Sequence, residues 1–391
     1  MSHPCQILML SKDTSLLAPQ QGFGNALARH RRYAEKLNAL APGSQLRILT
    51  LSSALSPERK YMEGSRLLIR GTRSLSRVSF VCDIRRIVEQ WRKRGWLPQV
   101  ITAQTPYEEG GVGLSLAQEF GAKFIGQLHF DLFSDDWKKE SIWNGLRGWA
   151  AKRNLAKADA VRVVSSSMKS ELHRALGFPE ERICVIPVTS SSMSLFEDSK
   201  DSFKHRLDCA GYKVVLFVGK AYTPKNLNNW VTVAKRITEK VADVRFVIAG
   251  DGPDLPRMKD DASKLGIGSK FVFLGHVQHS KLAEIYRAAD VFLLTSSSES
   301  FGRVLIEAAT AELPVVATRC AGPIDIVKNG ETGWLCEIDA IEAITHKTCE
   351  LLQDETLRQK MGKAARKHVD EVFSGDGLVD DLVNFWLRTA A

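Results

Sequence analysis

Short apolar runs alternate with helix-length amphipathic segments along most of the chain, and this alternation restricts the fold more than any other feature. Strand candidates in the first half lie at 6–11, 46–52, 99–104, 123–130, 160–166 and 183–188. A similar series in the second half lies at 214–219, 244–250, 271–275, 291–296, 314–318 and 333–336. Strands that alternate with helices favour parallel sheets covered by helices on both faces. The pattern therefore predicts an α/β fold with doubly wound parallel sheets.

The two series are separated by a Ser-rich and charged stretch, residues 189–212, with no sustained strand pattern. Such a composition shift marks a domain boundary. We predict a first domain over 1–190, a second domain over 191–372, and a terminal helix in 373–391 that packs back on the first domain. Ligands of doubly wound folds bind at the carboxyl ends of the strands. Two such domains facing across a cleft would suit the joining of two substrates.

Cysteine usage and hydropathy bear on the compartment. The seven cysteines are scattered without a CxxC spacing, which argues against a disulfide framework and against a zinc site. The first residues lack the pattern of a signal peptide, and no apolar run reaches the roughly 18 residues of a membrane span. We expect a cytoplasmic protein.

Positive charge is concentrated in the first half, because residues 1–187 carry a net charge of +11 and the remainder −2. A basic half attracts anionic lipid, nucleic acid or pyrophosphate-linked substrates, although solvated surface gives the same count. Trp137, Trp143 and Trp149 lie among basic residues. They suit a membrane interface or a lipid-linked acceptor, or else an aromatic helix packed on the sheet. Peripheral attachment to the inner face of an anionic membrane is therefore one hypothesis.

Two lysines follow the first strand of the second half. That strand ends at Gly219, Lys220 follows directly, and Lys225 precedes a helix that begins near Asn226. Two ammonium groups beside a helix N-terminus form an anion site. A diphosphate leaving group needs such compensation as its bond to a sugar breaks. Solvated loop lysines would give the same spacing.

Two glutamates follow a later strand, in the segment TSSSESFGRVLIEAAT. Glu299 lies before a helix that starts near Gly302, and Glu307 lies one to two turns inside it. The N–H groups of Phe301, Gly302 and Arg303 are then available to an anion or to hydroxyls. Carboxylates accept hydrogen bonds from sugar or ribose hydroxyls. The nearby Gly-Asp-Gly-Pro after another strand is interpreted as a tight turn.

The first half offers two further candidates. Gly22 and Gly24 precede a helix, where the backbone can approach a ligand closely, but they do not complete a dinucleotide fingerprint. His129 lies at a strand end with Asp131 two residues later. The histidine could hydrogen-bond a sugar, and Asp131 could be the general base for an acceptor hydroxyl or cap the next segment. No third ligand with a sensible spacing supports a metal there.

The motif order of the second half resembles glycosyltransferase family 4, the retaining transferases with two Rossmann-like domains (GT-B fold). GK-x4-KN, AGDGP, FLGHV, ADVFLLTSSSESFG and AGPIDIVKNGETGWL follow one another in that family's order. The resemblance implies that Lys220 and Lys225 hold the donor diphosphate, with Lys220 where the family usually has arginine. It implies that Glu299 contacts the donor sugar and that Glu307 contacts the ribose. It also implies a functional histidine at His129 and a glycine loop over the donor phosphates.

We therefore predict a retaining glycosyltransferase that moves a sugar from a nucleotide sugar to a hydroxyl of a glycan or lipid-linked acceptor, in bacterial cell-surface glycan assembly. The predicted catalytic residues are His129, Asp131 and Glu299. The predicted donor-binding residues are Gly22, Gly24, Lys220, Lys225, Phe301, Gly302, Arg303 and Glu307. No metal or other cofactor is expected, because the lysines and the helix dipole supply positive charge.

Two alternatives stay open. One is a nucleotide-sugar epimerase or hydrolase on the same fold, which would convert the donor without an acceptor. The other is a non-enzymatic protein that binds nucleic acid or an anionic surface. No nucleic-acid motif is recognised in the sequence, so we expect no nucleic-acid partner.

Overall fold

A computed structural model describes residues 3–17, 26–53, 66–74, 76–134, 137–138, 141–188, 200–373 and 375–391. The chain divides into two compact units. The first unit is Met1–Pro187 together with Gly375–Ala391, and the second unit is Val188–Ser374.

The first unit is built on a parallel sheet of seven strands, in the order β3-β2-β1-β4-β5-β6-β7. Its strands are β1 (Gln6–Ser11), β2 (Gln45–Thr50), β3 (Leu67–Gly71), β4 (Val100–Ala103), β5 (Lys123–Leu128), β6 (Ala160–Val163) and β7 (Ile183–Val185). Its helices are α1 (Ala26–Leu40), α2 (Arg77–Arg92), α3 (Glu108–Phe120), α4 (Asn144–Ala156) and α5 (Ser166–Leu176). Strands β4 and β6 are buried at every residue, as expected where helices cover both faces of a parallel sheet.

Strand β3 is absent from the strands predicted by the sequence. It lies at the edge of the first sheet, and buried residues alternate with partly exposed ones along it. One of the partly exposed positions is Arg70. An edge strand of five residues interrupted by an arginine lacks the continuous apolar run that reveals the central strands.

The second unit repeats the design with six parallel strands in the order β10-β9-β8-β11-β12-β13. Its strands are β8 (Lys213–Val218), β9 (Val244–Ala249), β10 (Phe271–Gly275), β11 (Val291–Leu294), β12 (Val315–Thr318) and β13 (Gly333–Cys336). Its helices are α6 (Lys200–Arg206), α7 (Leu227–Thr238), α8 (Leu255–Lys264), α9 (His279–Ala288), α10 (Arg303–Thr310), α11 (Ala321–Ile326), α12 (Ile341–Gln353) and α13 (Glu355–Val372).

The last helix, α14 (Gly375–Ala390), returns to the first unit and packs against α1. Trp386 is fully buried, and its ring meets that of Tyr33 edge to face with centroids 5.8 Å apart. At the surface, Lys36 and Asp380 form an ion pair of 2.8 Å. Burial of Trp386 contributes most of the stabilisation of the packing between α14 and α1, since an exposed ion pair contributes less than about 1 kcal/mol.

Both sheets are parallel and doubly wound, so the predicted α/β class with two Rossmann-like units is confirmed. In each sheet the strand order reverses once, between β1 and β4 and between β8 and β11. Ligands of such folds bind beyond the carboxyl ends of the strands at this switch point. All seven cysteines are free thiols. Within the described ranges, no helix is long and apolar enough to cross a bilayer.

Candidate functional site

The switch point of the second sheet brings Lys225 and Glu299 together. Lys225 ends a short 3-10 turn in the loop after β8, and Glu299 lies in the loop after β11. The Lys225 ammonium forms an ion pair with the Glu299 carboxylate. Lys225 is only 7% exposed, and a buried ammonium of this kind needs such a partner. Because β8 and β11 are neighbours in the sheet, this contact follows directly from the strand order.

Hydrogen bonds to main-chain carbonyl groups connect the same two loops. The Thr295 hydroxyl donates to the carbonyl oxygens of Lys225, at 3.1 Å, and Asn226, at 3.2 Å. The Ser297 N–H donates to the Pro224 carbonyl at 2.9 Å. The position of the Lys225 side chain is therefore set by the backbone on both sides of the switch point.

Lys220 has a different environment from Lys225. Its side chain is exposed, and its ammonium lies 5.4 Å from the centroid of the Tyr222 ring. The sequence predicts two similar cations, whereas the structure has one buried cation held by a carboxylate and one on the surface. An exposed lysine keeps its hydration and rotamer freedom, so Lys225 is the better organised of the two for binding an anion.

Two glycines let the loop after β9 press against the loop that contains Lys220. A Cβ atom on Gly250 would lie 1.8 Å from the carbonyl oxygen of Gly219, and one on Gly252 would lie 2.2 Å from that of Ala221. The Ala221 N–H also donates to the Asp251 carbonyl at 2.9 Å. The AGDGP segment, interpreted from sequence as a tight turn, thus also supports the backbone beside Lys220.

Glu307 is held inside helix α10 by two donors from its own unit. The Tyr286 hydroxyl donates to one carboxylate oxygen at 2.9 Å, and the Arg303 guanidinium lies 3.6 Å from the other. Burial, together with the charge and hydrogen bond of Glu307, raises the pKa of Tyr286 well above its usual value. The phenol therefore remains a donor at neutral pH, and Glu307 keeps a fixed orientation.

The loop before α10 is fixed by the start of α11. Gly302 has a φ of +89° and caps α10, and Phe301 is buried with its ring 6.1 Å from that of Phe373. The Gly322 N–H donates to the Glu299 carbonyl at 2.7 Å, and a Cβ on Gly322 would lie 2.3 Å from the Phe301 carbonyl oxygen. Helix α11 was not predicted from the sequence. It can approach the loop before α10 this closely because Gly322 has no side chain.

The arrangement at the second switch point has the groups that an anionic, hydroxyl-rich ligand needs. The Lys225 ammonium has three N–H donors. Among the described side chains, the carboxylate that pairs with it is Glu299. Glu299 and Glu307 supply acceptors for hydroxyls. The N-terminal end of α10 adds main-chain donors and a partial positive charge.

In the first unit, His129 follows β5 and is partly buried. Its Nε2 lies 3.0 Å from Oε1 of Gln127, and Arg162 donates to the same oxygen at 3.2 Å. Burial, with the positive charges of Arg162 and Arg29, lowers the pKa of His129 to about 3. The imidazole is therefore neutral at physiological pH, and the Gln127 contact requires the proton on Nε2, leaving Nδ1 as an acceptor.

Asp131 caps the turn that follows His129. Its Oδ1 accepts from the N–H groups of Phe133, at 3.3 Å, and Ser134, at 3.0 Å. The capping alternative therefore has direct geometric support, and the role as general base stays a prediction. Gly22 and Gly24 lie outside the described residues.

Three charged residues at the first switch point were missed from sequence. Lys12 lies just after β1, and its ammonium is 2.8 Å from Glu108 and 2.9 Å from Glu109 at the start of α3. Glu109 is fully buried, and its Oε1 has no hydrogen-bond partner among the described residues. Their positions in the sequence could have revealed them, since all three residues follow strands whose carboxyl ends meet at one edge of the sheet. In the described part of the chain, no group of three His, Cys, Asp or Glu could hold a metal ion.

Solved structures with the same fold include sucrose-phosphate synthase from Thermosynechococcus elongatus, with a TM-score of 0.77 and 21% identity over 98% of each chain. The structure of Anabaena HepE in complex with UDP-glucose is similar with a TM-score of 0.73 and 16% identity, over 98% of this chain and 99% of that chain. The 2-deoxystreptamine N-acetyl-D-glucosaminyltransferase of Niallia circulans is 30% identical over 196 residues, 47% of this chain and 50% of that protein. The chain spans about half the length of the curated relatives it matches.

Two family models match consecutive parts of the chain. One, described as a glycosyl transferase 4-like domain, matches residues 26–189, and the other, described as glycosyl transferases group 1, matches residues 198–368. The second match lies within one structural unit, and the first match passes the boundary after Pro187 by two residues. The resemblance implied by the motif order is thereby confirmed. With both units matched in order and a shared GT-B fold, this chain belongs to the family-4-like glycosyltransferases.

Proposed function

We propose that the chain is a retaining glycosyltransferase that moves a sugar from a nucleotide-sugar donor to an acceptor hydroxyl. The observation on which this proposal rests is the buried Lys225–Glu299 ion pair at the β8/β11 switch point. The likeness in fold to a protein solved with UDP-glucose supports the same donor class. The pathway we propose, bacterial cell-surface glycan assembly in the cytoplasm, is a prediction from sequence.

The donor diphosphate would bind against Lys225. Its ammonium has N–H donors beyond the one given to Glu299, and the N–H groups of Phe301, Gly302 and Arg303 lie at the positive end of α10. Lys220 would add a second, solvated charge. Negative charge grows on the diphosphate as the glycosidic bond breaks, so donors already in place stabilise the transition state more than the bound donor.

The two glutamates would select the rest of the donor. Glu307, oriented by Tyr286, would accept hydrogen bonds from the paired hydroxyls of a ribose. Glu299 would accept from a sugar hydroxyl while holding Lys225 in position. A carboxylate that organises the cation and also contacts the sugar would couple binding of the sugar to neutralisation of the leaving group.

The reaction we propose is a front-side displacement. The bond from the anomeric carbon to the diphosphate oxygen breaks with its electron pair going to the diphosphate, and the acceptor oxygen bonds to the same face of that carbon. The acceptor proton passes to a diphosphate oxygen, so no carboxylate nucleophile is needed. His129 would orient the acceptor or the sugar, and Asp131 as a general base is the alternative route for the proton.

Donor binding and turnover test this proposal separately. Thermal unfolding of the purified chain with a panel of UDP-, GDP- and ADP-sugars should show stabilisation by one class, because a ligand that binds the folded state raises the melting temperature. Mass spectrometry of products with and without acceptor sugars should then show transfer. Donor conversion at the same rate without an acceptor would instead favour an epimerase or hydrolase, and no stabilisation by any nucleotide sugar would contradict the proposal.

A further inference from the structure

Four large apolar side chains at the start of α4 project into solvent. We call Ile142, Trp143, Leu146 and Trp149 the α4 ridge; they are between 60% and 91% exposed. The other exposed large apolar side chains in the described ranges are between 38% and 46% exposed. Leu146 and Trp149 lie about one turn apart on α4, and Ile142 and Trp143 lie in the turn directly before it. Single exposed apolar residues are ordinary, but a contiguous group marks an interaction surface.

The fold fixes the ridge on the outside. The opposite face of α4 is buried, through Gly148, Ala151 and Leu155, where the helix packs against α3. The Asn154 side chain donates to the Pro106 carbonyl at 2.9 Å. Rotating the ridge inward would break this packing, so its exposure is a property of the folded unit. Trp137 does not belong to the ridge. Its ring stacks on Phe130 with centroids 5.0 Å apart, and it lies beside Gly148 on the buried face of α4, where an added Cβ would be 3.4 Å from the ring.

The positive charge around the α4 ridge favours an anionic partner. Residues 141–157 contain no aspartate or glutamate and four cations. Arg147 pairs with Glu108 of α3, and the other three are Lys152, Arg153 and Lys157. The Arg153 guanidinium lies 5.6 Å from the ring of ridge residue Trp149. Tryptophan and leucine bordered by lysine and arginine are typical of helices that lie in a membrane interface and bind anionic lipid. A second copy of the chain would bring the same cations together, which would oppose self-association.

We propose that the α4 ridge is a docking surface for an anionic lipid bilayer, with the apolar side chains in the interface and the surrounding cations against the headgroups. The inference does not depend on the identity of the donor. It does bear on the acceptor side, because Arg147 of α4 pairs at 3.2 Å with Glu108, the first residue of α3. Docking through α4 would hold the carboxyl edge of the first sheet near the membrane surface.

Vesicle flotation of the full chain tests the proposal. The wild type should float with vesicles of phosphatidylcholine and phosphatidylglycerol and much less with phosphatidylcholine alone. The double variant Leu146→Ser/Trp149→Ser should lower the partition coefficient by about tenfold or more. The variant Lys152→Glu/Arg153→Glu should lose the preference for anionic vesicles. Leu97→Ser, an exposed leucine elsewhere on the first unit, is the matched control and should float like the wild type.

Three results would overturn the docking surface. They are a wild type that does not float with anionic vesicles, a ridge variant that floats equally well, and a concentration-dependent dimer that the ridge variant abolishes. Because the ridge side chains are exposed, their replacement should leave the melting temperature and its rise with a nucleotide sugar unchanged. That second readout separates failure of the ridge from failure of the donor site.

Discussion

Lys225 and Glu299 are 74 residues apart in the chain and form an ion pair beneath the surface of the second unit. They meet because β8 and β11 are neighbours at the point where the strand order reverses. The pair connects the fold to the proposed chemistry, since it holds a cation where an anionic leaving group would lie.

Replacing Lys225 by alanine should reduce kcat by about a hundredfold or more, because it removes a preorganised donor to the leaving diphosphate. Steady-state transfer assays with the donor identified by thermal stabilisation would measure the loss. Lys235→Ala, which removes a surface lysine paired with Glu239 at 3.2 Å, is the matched control and should retain wild-type turnover. Wild-type turnover in Lys225→Ala would remove this residue from the donor site.

Tyr286→Phe should weaken donor binding and lower the free energy of unfolding by about 1–2 kcal/mol, because it deletes the hydroxyl that donates to buried Glu307. Titration of the donor and urea unfolding would measure the two effects. Tyr212→Phe, at a tyrosine whose ring packs against Arg245, is the control. An unchanged donor affinity in Tyr286→Phe would mean that the orientation of Glu307 is irrelevant to binding.

Gly250→Ala should destabilise the second unit by about 3 kcal/mol or more, since the new methyl would overlap the Gly219 carbonyl. Gly266→Ala is the comparison, because Gly266 also has a positive φ, +72°, but open space around its Cβ position. Backbone strain alone should lower the free energy of unfolding of Gly266→Ala by about 1 kcal/mol. Equal losses for the two variants in urea unfolding would show that the contact with Gly219 has no energetic weight.

The free energy of unfolding should fall as the solution is acidified below pH ~6.5, where histidines of the unfolded chain bind protons. His129 and His30 stay neutral because burial lowers their pKa to about 3 and about 4. Each should contribute a slope of up to about 1.4 kcal/mol per pH unit down to its folded pKa. His129→Gln should lower this slope by up to about 1.4 kcal/mol per pH unit, because it removes one histidine that binds a proton only in the unfolded chain. Identical slopes for His129→Gln and the wild type would contradict the neutral state of His129.

Transfer activity should persist after treatment with a chelator, because the proposal assigns the compensating charge to Lys225, Lys220 and the end of α10. Initial rates with EDTA, with and without added magnesium, would test this expectation. A strict requirement for magnesium would contradict it and would transfer the role of neutralising the diphosphate to a metal ion.

The sequence by itself determined the architecture. Buried parallel strands are continuous apolar runs, so nearly all strands of both sheets were predictable from local composition. Edge strand β3 was not, because Arg70 interrupts its apolar pattern. Ordered motifs located Lys225, Glu299 and Glu307, since spacing after a strand is a local property.

Only the tertiary structure decided which of those side chains meet. The burial of Lys225, its pairing with Glu299 and the exposure of Lys220 depend on strand order and on loops pressed together through Gly250 and Gly322. Likewise, the sequence placed three tryptophans in one basic segment, and packing against α3 left Trp143 and Trp149 in solvent. Pairing and exposure depend on contacts between distant parts of the chain, which a one-dimensional pattern of local preferences does not encode.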